Sequence, residues 1–140
     1  MLTVKQLLSF LLFSILSFSV HADIQMIKGT VKAVPAGEET APAYVTLKND
    51  DRSPVFLVSA SSKDAYKVDL QEAQDSDGAI FMNSVDKIFI HASRVTAING
   101  RRQQLLLLGP KKSLSTGETV HLSLSFSNGQ TIETELAVTK

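Results

Sequence analysis

Apolar and polar residues alternate along most of the chain. The pattern is clearest near the C-terminus, where Val120, Leu122, Leu124 and Phe126 alternate with polar side chains. A period of two is typical of a β-strand that buries one of its faces. By this criterion, ten segments are strand candidates: 27–33, 43–48, 55–60, 66–71, 79–82, 87–90, 94–98, 103–108, 120–126 and 131–138.

Polar turn sequences separate these segments. The sequence 75–78, Asp-Ser-Asp-Gly, predicts a hairpin turn, and Asn99-Gly100 and Asn128-Gly129 are tight-turn dipeptides. After residue 22, no window of eleven or more residues shows a helical apolar stripe. The pattern therefore predicts an all-β antiparallel sandwich or barrel of roughly seven to nine strands.

The alternation also predicts which side chains point inward. On the first strand we expect Ile27 to share a face with Gly29 and Val31, and on the fourth we expect Tyr66 to share a face with Val68 and Leu70. The inward candidates are Val31, Val45, Leu47, Val68, Leu70, Leu122, Leu124, Phe126, Leu136 and Val138.

Residues 1–22 have the features of a signal peptide. Lys5 is the only charge before an apolar run from Leu7 to Val20, which is short for a bilayer span. Val20-His21-Ala22 places small residues where a signal peptidase cleaves. We therefore expect a signal peptide at 1–22, a single mature domain at 23–140 and no membrane span after cleavage. The alternative is an uncleaved membrane anchor.

Composition excludes several classes of function. The 14 basic and 14 acidic side chains give zero net charge, which argues against a nucleic-acid-binding protein. Because the chain has no cysteine, it cannot form disulfides, thiolate metal sites or a lipid-modified cysteine anchor. An exported, cysteine-free domain of this size suggests a bacterial periplasm.

The sequence offers few groups for catalysis. His91 and His121 are interpreted as solvated surface side chains, and Asp75 and Asp77 as turn residues rather than calcium ligands. The basic loop 109–112, Gly-Pro-Lys-Lys, is either solvated or a contact for an acidic partner. Plentiful serines lie in no recognisable nucleophile motif, so we do not expect an enzyme.

The order of several segments resembles the periplasmic PCu(A)C copper chaperone family. The N-terminal half of the resemblance lies in 43–49, 58–62 and 67–72, and its C-terminal half in 105–109, 111–114, 117–120 and 122–126. The resemblance spans about 27–138 and implies a cupredoxin-like Greek-key β-sandwich. It also implies that the protein delivers Cu(I) to the copper centres of respiratory oxidases, or handles periplasmic copper in a related way.

The same family binds copper through a His, then a Met after ten intervening residues, then a His-x-Met pair after twenty-one more. At that spacing this sequence has Gln71, Met82, Gln104 and Leu106. The resemblance therefore implies one remaining ligand, Met82, which is either a relic ligand or a packing residue. Imidazole and thioether suit Cu(I), an amide oxygen is a weak donor for it and leucine donates nothing.

Two functions remain open at this point. One is copper handling in which Cu(I) binding is weakened or lost. Its partner would be a copper-receiving oxidase subunit or another periplasmic protein. The other is a metal-free module that binds a protein partner on the same sandwich. Met26 is either a second thioether ligand or a core side chain.

Overall fold

Each of the ten alternating segments forms a strand. The computed structural model describes residues 23–140, so the predicted signal peptide lies outside the described residues. The strands are β1 Ile24–Lys32, β2 Thr40–Asn49, β3 Val55–Ser61, β4 Ala65–Ser76, β5 Ala79–Ser84, β6 Ile88–Ile90, β7 Arg94–Ile98, β8 Gln103–Pro110, β9 Thr119–Phe126 and β10 Thr131–Thr139. The expected total of seven to nine strands, which is typical of such sandwiches, was too low, since all ten candidate segments form strands, including the short β6 and β7.

The strands form one hydrogen-bonded path that folds over on itself. Its order is β5-β4-β8-β2-β1-β10-β9-β3-β6, with β7 paired to β2. The β1–β10 pair is parallel, and the other pairs are antiparallel. β2 pairs with β8 through 40–43 and with β7 through 45–49. Because β3 and β4 also come into contact without hydrogen-bonding to each other, the path closes into a β-sandwich.

The core lies between the two layers of this sandwich. All ten predicted inward side chains are buried. They are joined by leucines of β8 and isoleucines of the short strands, including Leu105, Leu107, Ile88, Ile90 and Ile98. Burial of these branched side chains provides most of the free energy that favours the folded sandwich.

Two predicted orientations were wrong. Ile27 is 54% exposed, because a β-bulge between Met26 and Lys28 reverses which side chains of β1 face the core. Tyr66 is 87% exposed, and Ala65 is buried at the start of β4 instead. Gly109, which lies against Tyr66, has a φ of +62°, so β8 is not regularly extended there and the alternation is interrupted.

Two of the predicted turns have the expected form. Asp77 and Gly78 both have positive φ and join β4 to β5 as a hairpin, in which Asp75 Oδ1 accepts from the Gly78 N–H. Asn128-Gly129 lies in the β9–β10 hairpin. Asn99-Gly100 differs: it belongs to the 99–102 loop between β7 and β8, which both pair with β2 rather than with each other.

Candidate functional site

The four positions singled out by the PCu(A)C resemblance lie on one face of three adjacent strands. Gln71 of β4 lies directly opposite Gln104 of β8, and Met82 of β5 lies opposite Ala73. Residues two apart on a strand share a face, so Ala73 is on the Gln71 face and Leu106 on the Gln104 face. This face is the outer one, since the alternate residues of β4 and β8, such as Leu70 and Leu105, are buried in the core. We call the surface formed by Gln71, Met82, Gln104 and Leu106 the outer-face site.

The two glutamines of the outer-face site bind each other. Nε2 of Gln104 donates a hydrogen bond to Oε1 of Gln71 over 2.8 Å. Both side chains are half-buried. The oxygen of Gln71, which is the stronger of its possible metal donors, is therefore already engaged by an N–H.

Asp69 and Ser84 adjoin the site and were missed in the sequence. Asp69 lies opposite Leu106, and Ser84 lies opposite Gln71. The Ser84 hydroxyl donates a hydrogen bond to Oδ2 of Asp69. The period-two rule could have found both, since Asp69 precedes Gln71 by two residues and Ser84 follows Met82 by two.

The electrostatics of this face centre on Asp69. The hydrogen bond from Ser84 is the main cause that lowers the pKa of the Asp69 carboxyl below its ordinary value of 3.8, against the opposing effect of burial. Lys67, whose Nζ is 3.5 Å from Asp69 Oδ1, lowers the pKa further. Asp69 is therefore a carboxylate at neutral pH, with its charge already partly compensated.

The donor set of this face does not suit Cu(I). Met82 supplies one thioether, and the other atoms on offer are amide, hydroxyl and carboxylate oxygens, which are hard donors. Within residues 23–140, no group of three or more His, Cys, Asp or Glu side chains is arranged to hold a metal ion. The face can hydrogen-bond and make apolar contacts, but one thioether cannot chelate a soft ion.

The remaining candidate ligands lie elsewhere. Met26 packs against the hydrophobic core, as expected of a core methionine. His91 is exposed, and its ring meets Phe89 edge-on with centroids 4.9 Å apart. His121 is half-buried on β9 rather than solvated, and within the described chain its buried Nδ1 has no hydrogen-bond partner. The structure brings none of these three to the outer-face site.

The basic loop is held against the sandwich by Lys112. Its Nζ donates to the Thr119 carbonyl over 3.2 Å and lies 3.8 Å from Oδ1 of Asp64. Oδ2 of the same carboxylate accepts the His121 N–H over 2.8 Å. Both lysines of the loop are exposed, and Lys112 contacts Thr119 and Asp64.

The fold is that of PCu(A)C domains of known structure. The apo PCuAC domain of PmoF1 superposes with a TM-score of 0.70 over 84% of this chain and 93% of that domain, at 15% identity. The copper-bound PCuAC domain of PmoF2 gives 0.68 over 83% and 92%, at 18% identity. Cu(I)-DR1885 of Deinococcus radiodurans gives 0.66 over 81% of this chain and 76% of that protein, at 31% identity. The predicted cupredoxin-like Greek-key sandwich is thus confirmed.

A family model described as "Putative lipoprotein LpqE-like" matches residues 24–138. The chain therefore belongs to the LpqE-like family, and the PCu(A)C resemblance seen in the sequence is confirmed. A curated relative from Leifsonia xyli subsp. xyli, "Putative lipoprotein Lxx21020", is 29% identical over 109 residues. That match takes in 77% of this chain but 64% of the relative, so the chain spans less than two thirds of the relative's length. Among the described residues, no helix is long and apolar enough to cross a membrane.

Proposed function

We propose that this protein is an exported, copper chaperone-like protein of the periplasm in which Cu(I) binding has been weakened or lost. The observation that carries the proposal is the outer-face site itself. Gln71, Met82, Gln104 and Leu106 share one face of β5, β4 and β8, as a common ligand set would require. Three of these four side chains have no donor suited to Cu(I).

The hydrogen bond between the glutamines supports weakened binding further. The 2.8 Å bond from Gln104 occupies one of the two lone pairs of Gln71 Oε1, so an ion at this oxygen competes with that hydrogen bond. The contact it would gain is a poor match of hard oxygen and soft ion. Met82 alone then contributes one soft contact, as expected of a relic ligand.

The proposed location follows from the N-terminal sequence and from the names of the relatives. Residues 1–22 have the charge, apolar run and small residues of a signal peptide, with Asp23 as the first residue of the mature domain. The family model and the Leifsonia relative are both named as lipoproteins, which are exported proteins. We therefore place the mature domain, 23–140, in the periplasm.

The proposed partner is a copper-receiving oxidase subunit or another periplasmic protein. This role is a binding role, and the proposal includes no catalytic step. It rests on the PCu(A)C resemblance and on the names of the neighbouring structures, two of which contain copper.

A Cu(I) competition titration tests the proposal. The exported protein is titrated with a coloured Cu(I) chelator under reducing conditions, beside Met82→Ala and, as a matched control, Met26→Ala. We expect the chelator to keep the Cu(I) in all three samples. A ligand at 100 times its Kd would raise the free energy of unfolding by about 2.7 kcal/mol. Because we expect micromolar Cu(I) to lie below the Kd of a weakened site, it should leave the Tm nearly unchanged.

One outcome would contradict the loss of the site. Transfer of one Cu(I) per chain to the wild type and to Met26→Ala, but not to Met82→Ala, would mean that Met82 still anchors an effective copper site.

The second candidate is a metal-free module that binds a protein partner. The mutual hydrogen bond of Gln71 and Gln104 favours it, because a satisfied amide pair makes a stable surface without an ion. Cross-linking of the exported protein in cells with and without a copper chelator separates the candidates. A partner captured equally in both conditions supports the metal-free module, and one captured only with copper supports copper handling.

A further inference from the structure

Three arginines surround an open cleft beside the outer-face site. The cleft has a volume of about 670 Å³ and lies between β4, the β6–β7 connection, β7 and the β7–β8 loop. Arg94, Arg101 and Arg102 line it together with His91 and a single carboxylate, that of Glu72. Although the whole chain has no net charge, this cleft is strongly basic.

The arginines of this cleft have no acidic partners. Within residues 23–140, the ion pairs are Lys48–Asp50, Lys67–Asp69 and Lys112–Asp64, all made by lysines. The three cleft arginines are exposed, and none pairs with Glu72. Three guanidinium groups around one concavity repel one another, and a ligand carrying negative charge relieves that repulsion.

The loop that carries two of the arginines is held in place by its backbone. The Arg102 carbonyl accepts the Ala73 N–H over 2.7 Å, which fixes the loop to β4. The Gly100 N–H donates to the Gln103 carbonyl over 2.8 Å, and Asn99 Oδ1 accepts the Arg101 N–H over 3.1 Å.

Gly100 fits this loop for a steric reason. Its φ is +84°, and a Cβ at this position would lie 2.8 Å from the ring of Tyr44. Together with the three hydrogen bonds of the loop, this fit holds the backbone that presents Arg101 and Arg102, which lowers the entropic cost of binding.

We propose that this cleft binds a multiply charged oxyanion with phosphate or carboxylate groups. Planar guanidinium groups bind such oxygens through paired N–H donors, and the polar residues Asn99 and Gln103 line the same cleft. The volume is in the range of small-molecule sites. None of the four residues of the outer-face site lines this cleft, although Ala73, which lies opposite Met82, borders both.

The experiment titrates sodium pyrophosphate and, separately, citrate into the ¹⁵N-labelled exported protein at low ionic strength. We expect amide shifts in residues 94–103 and at Glu72 and Ala73, which weaken as salt is added. A second arm adds vesicles of phosphatidylcholine with and without phosphatidylglycerol. Binding of the small anions alone identifies a soluble ligand, and additional binding of only the anionic vesicles identifies a lipid headgroup; both support the oxyanion site.

Matched variants localise the binding. The Arg101→Gln/Arg102→Gln protein should bind pyrophosphate or citrate about tenfold or more weakly, the expected loss for charge-assisted hydrogen bonds. Arg52→Gln removes one exposed arginine outside the cleft and should change the affinity less than about twofold. If the double variant has a lower Tm than the wild type, Arg94→Gln on β7 replaces it as the test of the cleft.

Two results would overturn the proposal. In one, pyrophosphate, citrate and anionic vesicles all leave the cleft amides unshifted at millimolar concentration, even if an acidic peptide shifts them. In the other, Arg52→Gln weakens binding as much as the cleft variants do, which would show attraction by overall charge rather than by a site.

Discussion

Gln104 and Gln71 face each other across β8 and β4, and Nε2 of Gln104 donates to Oε1 of Gln71 at 2.8 Å. The two residues are 33 positions apart in the chain, and only the pairing of β4 with β8 brings them together. Since Met82 and Leu106 share their face, the spacing inferred from the sequence corresponds to one continuous surface.

Restoring soft donors on this surface should create a copper site. The triple variant Gln71→His, Gln104→His and Leu106→Met, with Met82 kept, supplies two imidazoles and two thioethers, a set that suits Cu(I). We expect the triple variant to bind Cu(I) much more tightly than the wild type, as measured by competition with a coloured chelator.

Two further substitutions control this gain. Adding Met82→Ala to the triple variant should abolish the new binding, while adding Met26→Ala, in the core-packed position, should leave it. A folded triple variant that still ignores Cu(I) would mean that the four positions do not form the site of the PCu(A)C resemblance.

Neighbouring leucines of β8 should differ sharply in their effect on stability. Leu105 is fully buried in the core, whereas Leu106 is half-buried on the outer face. Leu105→Ala should lower the free energy of unfolding by about 2–5 kcal/mol, because it leaves a cavity. Leu106→Ala should cost clearly less; equal losses in urea unfolding would contradict the register of β8.

Gln130 should stabilise the start of β1. Its Nε2 donates to the Ile24 carbonyl over 2.7 Å, and its Oε1 accepts the Ile24 N–H over 3.0 Å, as a neighbouring strand would. Gln130→Ala should lower the free energy of unfolding by about 1–3 kcal/mol, because it leaves both backbone groups without this partner. Hydrogen exchange at the Ile24 amide should accelerate in Gln130→Ala but not in Gln25→Ala, an exposed glutamine on the same strand.

Ser84 should set the acid dependence of stability near the outer-face site. Because its hydroxyl hydrogen-bonds to Asp69, Ser84→Ala should raise the pKa of the Asp69 carboxyl, as a ¹³C NMR titration of that carboxyl would report. A lowered pKa in the folded state adds stability at pH values above the ordinary 3.8, and this contribution disappears as the pH falls through the lowered pKa. The wild type should therefore be more stable than Ser84→Ala at pH 7, and the difference should shrink below about pH 4.

The control for this prediction is Ser115→Ala, an exposed serine outside the site. It should leave both the Asp69 titration and the pH dependence of stability unchanged. A difference between wild type and Ser84→Ala that persists at low pH would show that the hydroxyl acts through packing rather than through the charge of Asp69.

Local alternation was enough to predict the strands and most of the core. Leu122, Leu124 and Phe126 lie on one face of β9 simply because side chains alternate along an extended chain, and all three are buried. The rule was wrong at Ile27, where the bulge between Met26 and Lys28 depends on how β1 pairs with β2.

The sequence by itself determined the all-β fold and most of the buried faces, because these follow from period two along an extended chain. The resemblance to the PCu(A)C family singled out positions 71, 82, 104 and 106. Only the tertiary structure decided what those positions contact. The Gln71–Gln104 bond, the Ser84–Asp69 bond and the arginine cleft all join residues from different strands or loops. Such contacts depend on strand order and register, which many distant pairings set together and which no short stretch of sequence encodes.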